Sequence, residues 1–280
     1  MKNENVNQKV ISGFGDEWER FNQKSLNNFE KNLLFERYFK IFPWSKLKNT
    51  AIGFDLGCGS GRWASLVAPR VGKLICIDPS SAIEVAKENL KNLDNCDFQQ
   101  NSIDDMIIED CSMDFGYSLG VLHHVPNTKQ ALKKCISKLK PGAPFLLYLY
   151  YAFDNRPIWY RWLWYLSDGL RFLISRSPNT IRYILSQFFA VTLYFPISRF
   201  CKFASFIGIN VKNWPLNTYR DLSFYTMRTD ALDRFGTRLE QRFSKKQINF
   251  MMLESGLIDI KFSNSEPYWC AVGFKKGFKI

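Results

Sequence analysis

Residues 51–63, AIGFDLGCGSGRW, run a short apolar strand straight into glycines at 57, 59 and 61 and then into a helical pattern. Three missing Cβ atoms at a strand-to-helix turn let a ligand lie against bare amides at a helix N-terminus. Taken alone, the same glycines suit a tight turn that binds nothing. Asp78 adds a second requirement: it ends the next apolar strand, 21 residues beyond Gly57, where a carboxylate can accept hydrogen bonds from both hydroxyls of a ribose. Asp55 precedes the first glycine and the spacing is GxGxG, unlike the dinucleotide fingerprint, so a pyrophosphate is not the obvious ligand.

The surrounding rhythm supports a nucleotide-type fold. Strand signals fall at Ala51 to Leu56, Leu74 to Ile77, Asp97 to Gln100, Phe115 to Leu119 and Phe145 to Tyr150; helical patterns separate most of them, at Gly61 to Val67, Ala82 to Leu93 and Thr128 to Leu139. Alternating strands and helices predict a parallel sheet covered on both faces. Ser244 and Gln247 have the spacing of a capping box, and Gly256 suits the residue that ends such a helix. Ile258 to Phe262 and Tyr268 to Phe274 then read as a hairpin turned around Pro267. The expected fold class is α/β: a doubly wound, mostly parallel seven-stranded sheet with an antiparallel C-terminal hairpin and a helical insertion. Four segments follow: a helical cap (1–45), a cofactor-binding core (46–155), an insertion (156–220) and the C-terminal part of the core (221–280).

The sequence resembles the class I S-adenosylmethionine-dependent methyltransferases, in the branch of ubiquinone/menaquinone-type C-methyltransferases and small-molecule methylators. The carrying segments are GFDLGCGSGRWA (53–64), LICIDPS (74–80), SMDFGYSLGVLHHV (112–125) and LKPGAPFLLYLY (139–150). The resemblance implies S-adenosylmethionine as cofactor. Asp55 and the amides of Gly57, Cys58, Gly59 and Gly61 would hold its methionine part, and Asp78 its ribose. An acidic residue commonly binds the adenine amine after strand three; the aligned position here is Ser102, with the Ile103 amide or Asp104 as substitutes. Leu119 would face the cofactor from the other side.

Methyl transfer from a sulfonium is an in-line displacement, so the protein must align the acceptor and, where needed, remove a proton. His123 and His124, the only histidines in the chain, follow the fourth strand at the rim where an acceptor would arrive, and imidazole titrates near neutrality. Helical neighbours point about 100° apart, so at most one of the pair faces the methyl group as a base, with His123 preferred over His124, and packing or capping is the alternative for each. The end of that strand reads Ser118-Leu119-Gly120-Val121, without the Asn/Asp-Pro-Pro-aromatic motif of enzymes that methylate base amines. The seven cysteines form no CxxC pair. No metal site is therefore expected.

Charge is unevenly spread. Of the formal +12, residues 156–220 carry +8, from nine basic residues against Asp168 alone, together with 16 aromatic side chains. From Pro157 to Ser175 the polar residues Arg161, Asp168, Arg171 and Ser175 form one stripe on an otherwise apolar helix. The longest uncharged run, Tyr183 to Ser198, has 16 residues and holds Pro196, which is short of the ~20 needed to span a bilayer. Two readings stay open: a lid packed on the active site, or an element facing an anionic membrane surface. Nucleic acid is disfavoured. The N-terminus lacks an apolar segment, which predicts a cytoplasmic chain, with membrane association as the added possibility.

The leading function is S-adenosylmethionine-dependent methyl transfer to a small-molecule or lipid-linked acceptor. The alternatives are O-methylation of a sugar or other soluble hydroxyl with the insertion as lid only, and a non-catalytic protein that docks through the insertion. Acceptor, methylated atom and oligomeric state are not encoded in any motif.

Overall fold

The computed structural model describes residues 5–277 and divides them into two compact units. Residues 1–4 and 278–280, at the outer ends of the expected cap and C-terminal segment, lie outside the described residues.

The first unit comprises residues up to 23, 31–152 and 239 onward. It opens with α1 (Gln8–Arg20) and α2 (Asn28–Phe39), two helices where the sequence reading had one continuous cap. The core then alternates β1 (Ile52–Leu56), α3 (Ala64–Val67), β2 (Lys73–Ile77), α4 (Ala82–Asn89), β3 (Cys96–Gln99), β4 (Phe115–Leu119), α5 (Thr128–Lys138) and β5 (Pro144–Tyr148). The sheet has seven strands in the order β3-β2-β1-β4-β5-β7-β6, its last two strands coming from the chain's C-terminal segment. Strands β1 to β5 pair in parallel, whereas the seventh runs antiparallel to both of its neighbours.

Both faces of the sheet are covered, which explains why β1, β2 and β4 are almost wholly buried. Phe54, Ile77, Phe145 and Leu147 pack with Leu132 and Ile136 of α5 on one face, each burial contributing about 1.5–3 kcal/mol. On the other face Phe39 of α2 meets Tyr117 edge-on at 5.3 Å. Register makes this possible: Gly53 pairs with Phe115 and Phe54 with Gly116. A Cβ on Gly53 would stand 2.2 Å from the Phe115 ring, and one on Gly116 2.4 Å from Phe54.

The second unit comprises residues 24–30 and 153–238. It contains α6 (Ile158–Ile174), α7 (Asn179–Phe189), α8 (Phe195–Phe206) and α9 (Phe224–Gly236). Its core joins Ile174, Ala190 and Tyr194 to Met227, Ala231 and Phe235 of α9. This corrects the sequence reading, which ended the insertion at 220 and gave α9 to the core: its apolar face is consumed by α6 and α7. Glu30 accepts hydrogen bonds from the Ser223 amide and, at 2.6 Å, from the Thr226 hydroxyl, fixing the start of α9.

A second correction concerns length. Through a π turn at Ala190–Tyr194, α7 and α8 form one helical run, Asn179–Phe206, of 28 residues, long and apolar enough to cross a membrane by length and composition. The uncharged stretch underestimated it because Arg182 and Arg199 turn onto carbonyls inside the unit, so the apolar face continues past them. After this unit the chain returns through α10 (Lys245–Glu254), whose Ser244–Gln247 capping box is present, to β6 (Leu257–Phe262) and β7 (Ala271–Lys275).

Candidate functional site

Within the first unit the sheet order reverses between β1 and β4, and loops there leave a crevice at the carboxyl ends of the strands. A cleft with about 1000 Å³ of empty space, counting its open mouth, occupies this position. Its lining comes from the ends of all four N-terminal strands: Leu56 to Ser60, Asp78 to Ser80, Ser102 and Ile103, and Leu119 to Leu122. The remaining wall is α1, through Val10, Ile11, Phe14 and Trp18.

The glycine loop is built differently from the expected cradle of amides. Gly57 and Cys58 donate to the Ile77 carbonyl at 2.7 and 3.1 Å, and Gly61 donates to Cys58 at 2.9 Å. The Gly59 amide donates to Asp78 Oδ2 at 2.9 Å. Buried backbone donors must be paired, so these four amides hold the loop. Two donors that line the cleft are buried and without a protein partner: Ser60 Oγ and Arg62 Nε. The Arg62 guanidinium lies over the Trp63 ring at 4.2 Å, which fixes it in place.

Asp78 is sealed into the same network. Oδ1 accepts from the Ser80 amide at 2.9 Å and from its hydroxyl at 2.6 Å. With the Gly59 amide, three of a carboxylate's roughly four lone-pair sites are filled, leaving capacity for one further donor rather than the two anticipated. Burial raises its pKa, while the bonds from Ser80 and Gly59 pull it back.

Asp55 and Gly61 do not line the cleft. Burial pushes the Asp55 carboxyl up to about 8, with the Tyr117 hydroxyl acting in the opposite sense and the Asp78 charge adding to the rise. Cys58 lines the cleft, and burial is among the causes that raise its thiol to about 11. Ser102 lines the cleft, yet its hydroxyl donates to Asp105 at 2.8 Å. Asp104 is taken by Lys134 at 2.6 Å and by the Asn5 amide at 3.1 Å. Ile103 and Leu119 supply apolar wall.

The two histidines are separated by function of place. They sit in a single 3-10 turn, Leu122–His124, with ring centroids 3.9 Å apart. His124 reaches the cleft beside Phe14 of α1, at 4.9 Å between rings. Its Nδ1 lies 2.6 Å from the Leu239 carbonyl; a carbonyl only accepts, so Nδ1 carries the proton and Nε2 is the basic nitrogen. His123 is fully buried, stacks on Tyr150 at 3.9 Å and does not line the cleft. Burial drives its pKa well below the ordinary imidazole value, reinforced by the nearby His124 and Arg242.

Residues 54–147 match the family model described as a methyltransferase domain. The match covers about a third of the 280-residue chain. A domain of this kind implies S-adenosylmethionine as its cofactor. Over 99 residues the chain is 31% identical to a sterol 4-C-methyltransferase of Caenorhabditis elegans, covering 34% of this chain and 29% of that one. The chain spans less than a third of the length of the curated relatives it matches. Two solved structures share the fold with a TM-score of 0.51. One is a SAM-dependent methyltransferase of Methanosarcina mazei, at 16% identity over 84% of this chain and 98% of that one. The other, from Thermotoga maritima, is 12% identical over 94% and 100% of the two chains.

The cleft fits this cofactor. Ser60 Oγ and Arg62 Nε suit an amino-acid carboxylate, and the spare acceptor site on Asp78 suits a ribose hydroxyl. Gly120, at φ +80°, lines the cleft with nothing within 4 Å of where its Cβ would stand, so a side chain there would enter open space. Arg62, Gly120 and the α1 residues escaped the sequence reading. Arg62 was legible only as the residue after the glycine loop, and nothing local ties α1 to the ends of the strands.

Proposed function

We propose that this chain transfers a methyl group from S-adenosylmethionine to a small-molecule or lipid-linked acceptor, with His124 as the general base. The observation that carries the reading is the His124 imidazole, with Nδ1 turned to the Leu239 carbonyl, lining the same cleft as the glycine loop, Arg62 and Asp78.

When bound, the cofactor supplies an electrophilic methyl on a sulfonium. Ser60 and Arg62 bind its carboxylate end, Asp78 accepts from its ribose, and Ile103 and Leu119 flank the purine with apolar surface. His124 donates from Nδ1 to Leu239, which keeps Nε2 free of its own proton. An acceptor hydroxyl or acidic C–H passes its proton to Nε2, and the Leu239 carbonyl then steadies the imidazolium. His123 holds the turn by packing on Tyr150. Phe14 and Trp18 of α1 exclude water from the cleft.

Within the family we assign the chain to the branch of quinone-type C-methyltransferases and small-molecule methylators, on the four ordered segments between 53 and 150. The nematode relative is a sterol 4-C-methyltransferase, which supports an apolar acceptor here. Calorimetry with S-adenosylmethionine, followed by incubation of methyl-labelled cofactor with separated aqueous and lipid extracts, tests both levels. Label moving into the lipid fraction is the expected result. Absence of cofactor binding by the wild-type chain overturns the reading, and label in the aqueous fraction alone replaces the lipid acceptor with a soluble hydroxyl compound.

A further inference from the structure

The second unit wears its polarity inside out. The stripe read from the sequence, Arg161, Asp168, Arg171 and Ser175, is turned inward. Arg171 is only 8% exposed and donates to Asp168 at 2.6 Å and to the Thr237 carbonyl at 2.9 Å. Arg182 donates to the Gly236 carbonyl at 3.0 Å. Both guanidinium groups thus satisfy the last carbonyls of α9, where a helix leaves acceptors unpaired and its dipole favours cations. Arg161 and Arg199 are likewise spent on backbone carbonyls, of Phe153 and of Arg220 and Leu222.

The opposite faces of α6, α7 and α8 are consequently apolar and exposed. Among the described residues, 20 of the 26 exposed large apolar side chains lie between 158 and 209. Trp162 is 67% exposed, Leu166 73% and Phe206 88%. Exposed large apolar side chains in such number on one stretch mark an interaction surface rather than an ordinary soluble exterior. Along α7 the exposed Ile181, Ile184, Phe188 and Val191 recur at helical spacing while Arg182 and Ser186 are buried, so this run has one wet-chemistry face and one oily face.

We propose that this face lies flat in the interfacial zone of a lipid bilayer. Three features select lipid over another occupant. Between 157 and 219 the exposed charges are Arg176, Lys202 and Lys212, all cationic, with Lys202 held by Asp221 at 3.3 Å, and the one acid, Asp168, is engaged by Arg171; Arg176 and Lys212 suit phosphate headgroups at the rim. Trp159, Trp162 and Tyr165 present large rings with a single polar tip, the composition of a membrane interface. The buried Arg182, Ser186, Ser198 and Cys201 give the 28-residue helix a protein-facing side along its whole length, which fits an in-plane helix and not a span. Because only three cations are exposed in this stretch, insertion of apolar surface and not the +8 charge drives the binding. The proposal does not depend on methyl transfer.

Flotation of the full chain with phosphatidylcholine vesicles, and with the same vesicles containing phosphatidylglycerol, tests it. The protein is expected to float with both, and molar salt should change the bound fraction by less than about twofold. Trp162→Glu combined with Leu166→Glu should cut binding at least about tenfold, with an unchanged thermal melt and unchanged S-adenosylmethionine affinity. Quenching of wild-type tryptophan fluorescence by brominated lipid gives a readout that needs no variant. The proposal is overturned if the protein stays with the dense fraction for both vesicles. Binding that requires phosphatidylglycerol, vanishes in salt and ignores the Glu substitutions overturns it equally. So does a vesicle-free dimer that fails to float and is dispersed by those substitutions, which would assign the face to a second copy.

Discussion

In the first unit Phe54, Phe115 and Phe145 are sealed between layers, and the polar groups of Ser60, Arg62 and Asp78 border a cavity. In the second unit Arg171 and Arg182 are sealed, and Trp162, Leu166 and Phe206 border the outside. Both arrangements obey the same rule, that a buried polar group must find a partner. The difference lies in what remains. The first unit leaves donors without protein partners on residues that line the cleft; the second satisfies its guanidinium groups internally and leaves apolar surface. The chain thus separates polar groups bordering a cleft from apolar surface turned to the outside.

The sharpest way to break that separation is at His124. Replacement by Ala should lower methyl transfer by about 10²-fold or more, the usual worth of a general base, while S-adenosylmethionine affinity stays within about twofold and vesicle binding is untouched. A variant with wild-type turnover removes His124 from the proton path. Asp78→Ala comes next. It deletes an acceptor of three protein hydrogen bonds as well as the ribose contact, and bonds to a charged group contribute about 1.5–3 kcal/mol each. Calorimetry should show cofactor affinity falling by more than tenfold, again with flotation unchanged.

One substitution made in both units should give opposite signs. Gly57 has φ +76°, and a Cβ there would stand 2.3 Å from Val121, so Gly57→Ala should destabilise by about 1–3 kcal/mol. Gly169 sits exposed in α6 with nothing within 4 Å. Gly169→Ala should therefore stabilise by up to ~1 kcal/mol through helix propensity. Thermal melts in which both variants move the same way would mean that one of the two backbones differs from this description.

A pH-dependent contrast concerns Asp55. Its carboxyl is raised from an ordinary 3.8 to about 8 by burial. Between those values the unfolded chain ionises while the native chain keeps its proton, so native stability falls as pH rises through the window. Without cofactor, the melting temperature of Asp55→Asn relative to wild type should climb from about pH 4 to 8 and then level off. Parallel melting curves across that range would show that the carboxyl ionises as readily in the folded protein as in the unfolded one.

Much of the first unit was legible because its signals are local. Strand, glycine turn, helix and acid follow one another within 30 residues, and Gly57 and Asp78 answer backbone and hydrogen-bonding demands that arise where they stand. The Ser244–Gln247 cap was readable for the same reason. The role of the loop amides was not, because Ile77 and Asp78 claim them only once β1 and β2 are paired. The extent of the second unit was also hidden: α9 looks like a polar connector until Met227, Ala231 and Phe235 meet partners from α6 and α7.

By itself the sequence determined the order of strands and helices, the glycine turn after β1 and the two-faced pattern of α6. Only the tertiary structure decided that His124 and not His123 reaches the cleft, that α1 closes it, and that the oily face of α6 looks outward. The reason is geometric. A periodic pattern fixes which residues share a face, but the partners that face finds, such as the last carbonyls of α9 for Arg171 and Arg182, are brought to it by distant parts of the chain.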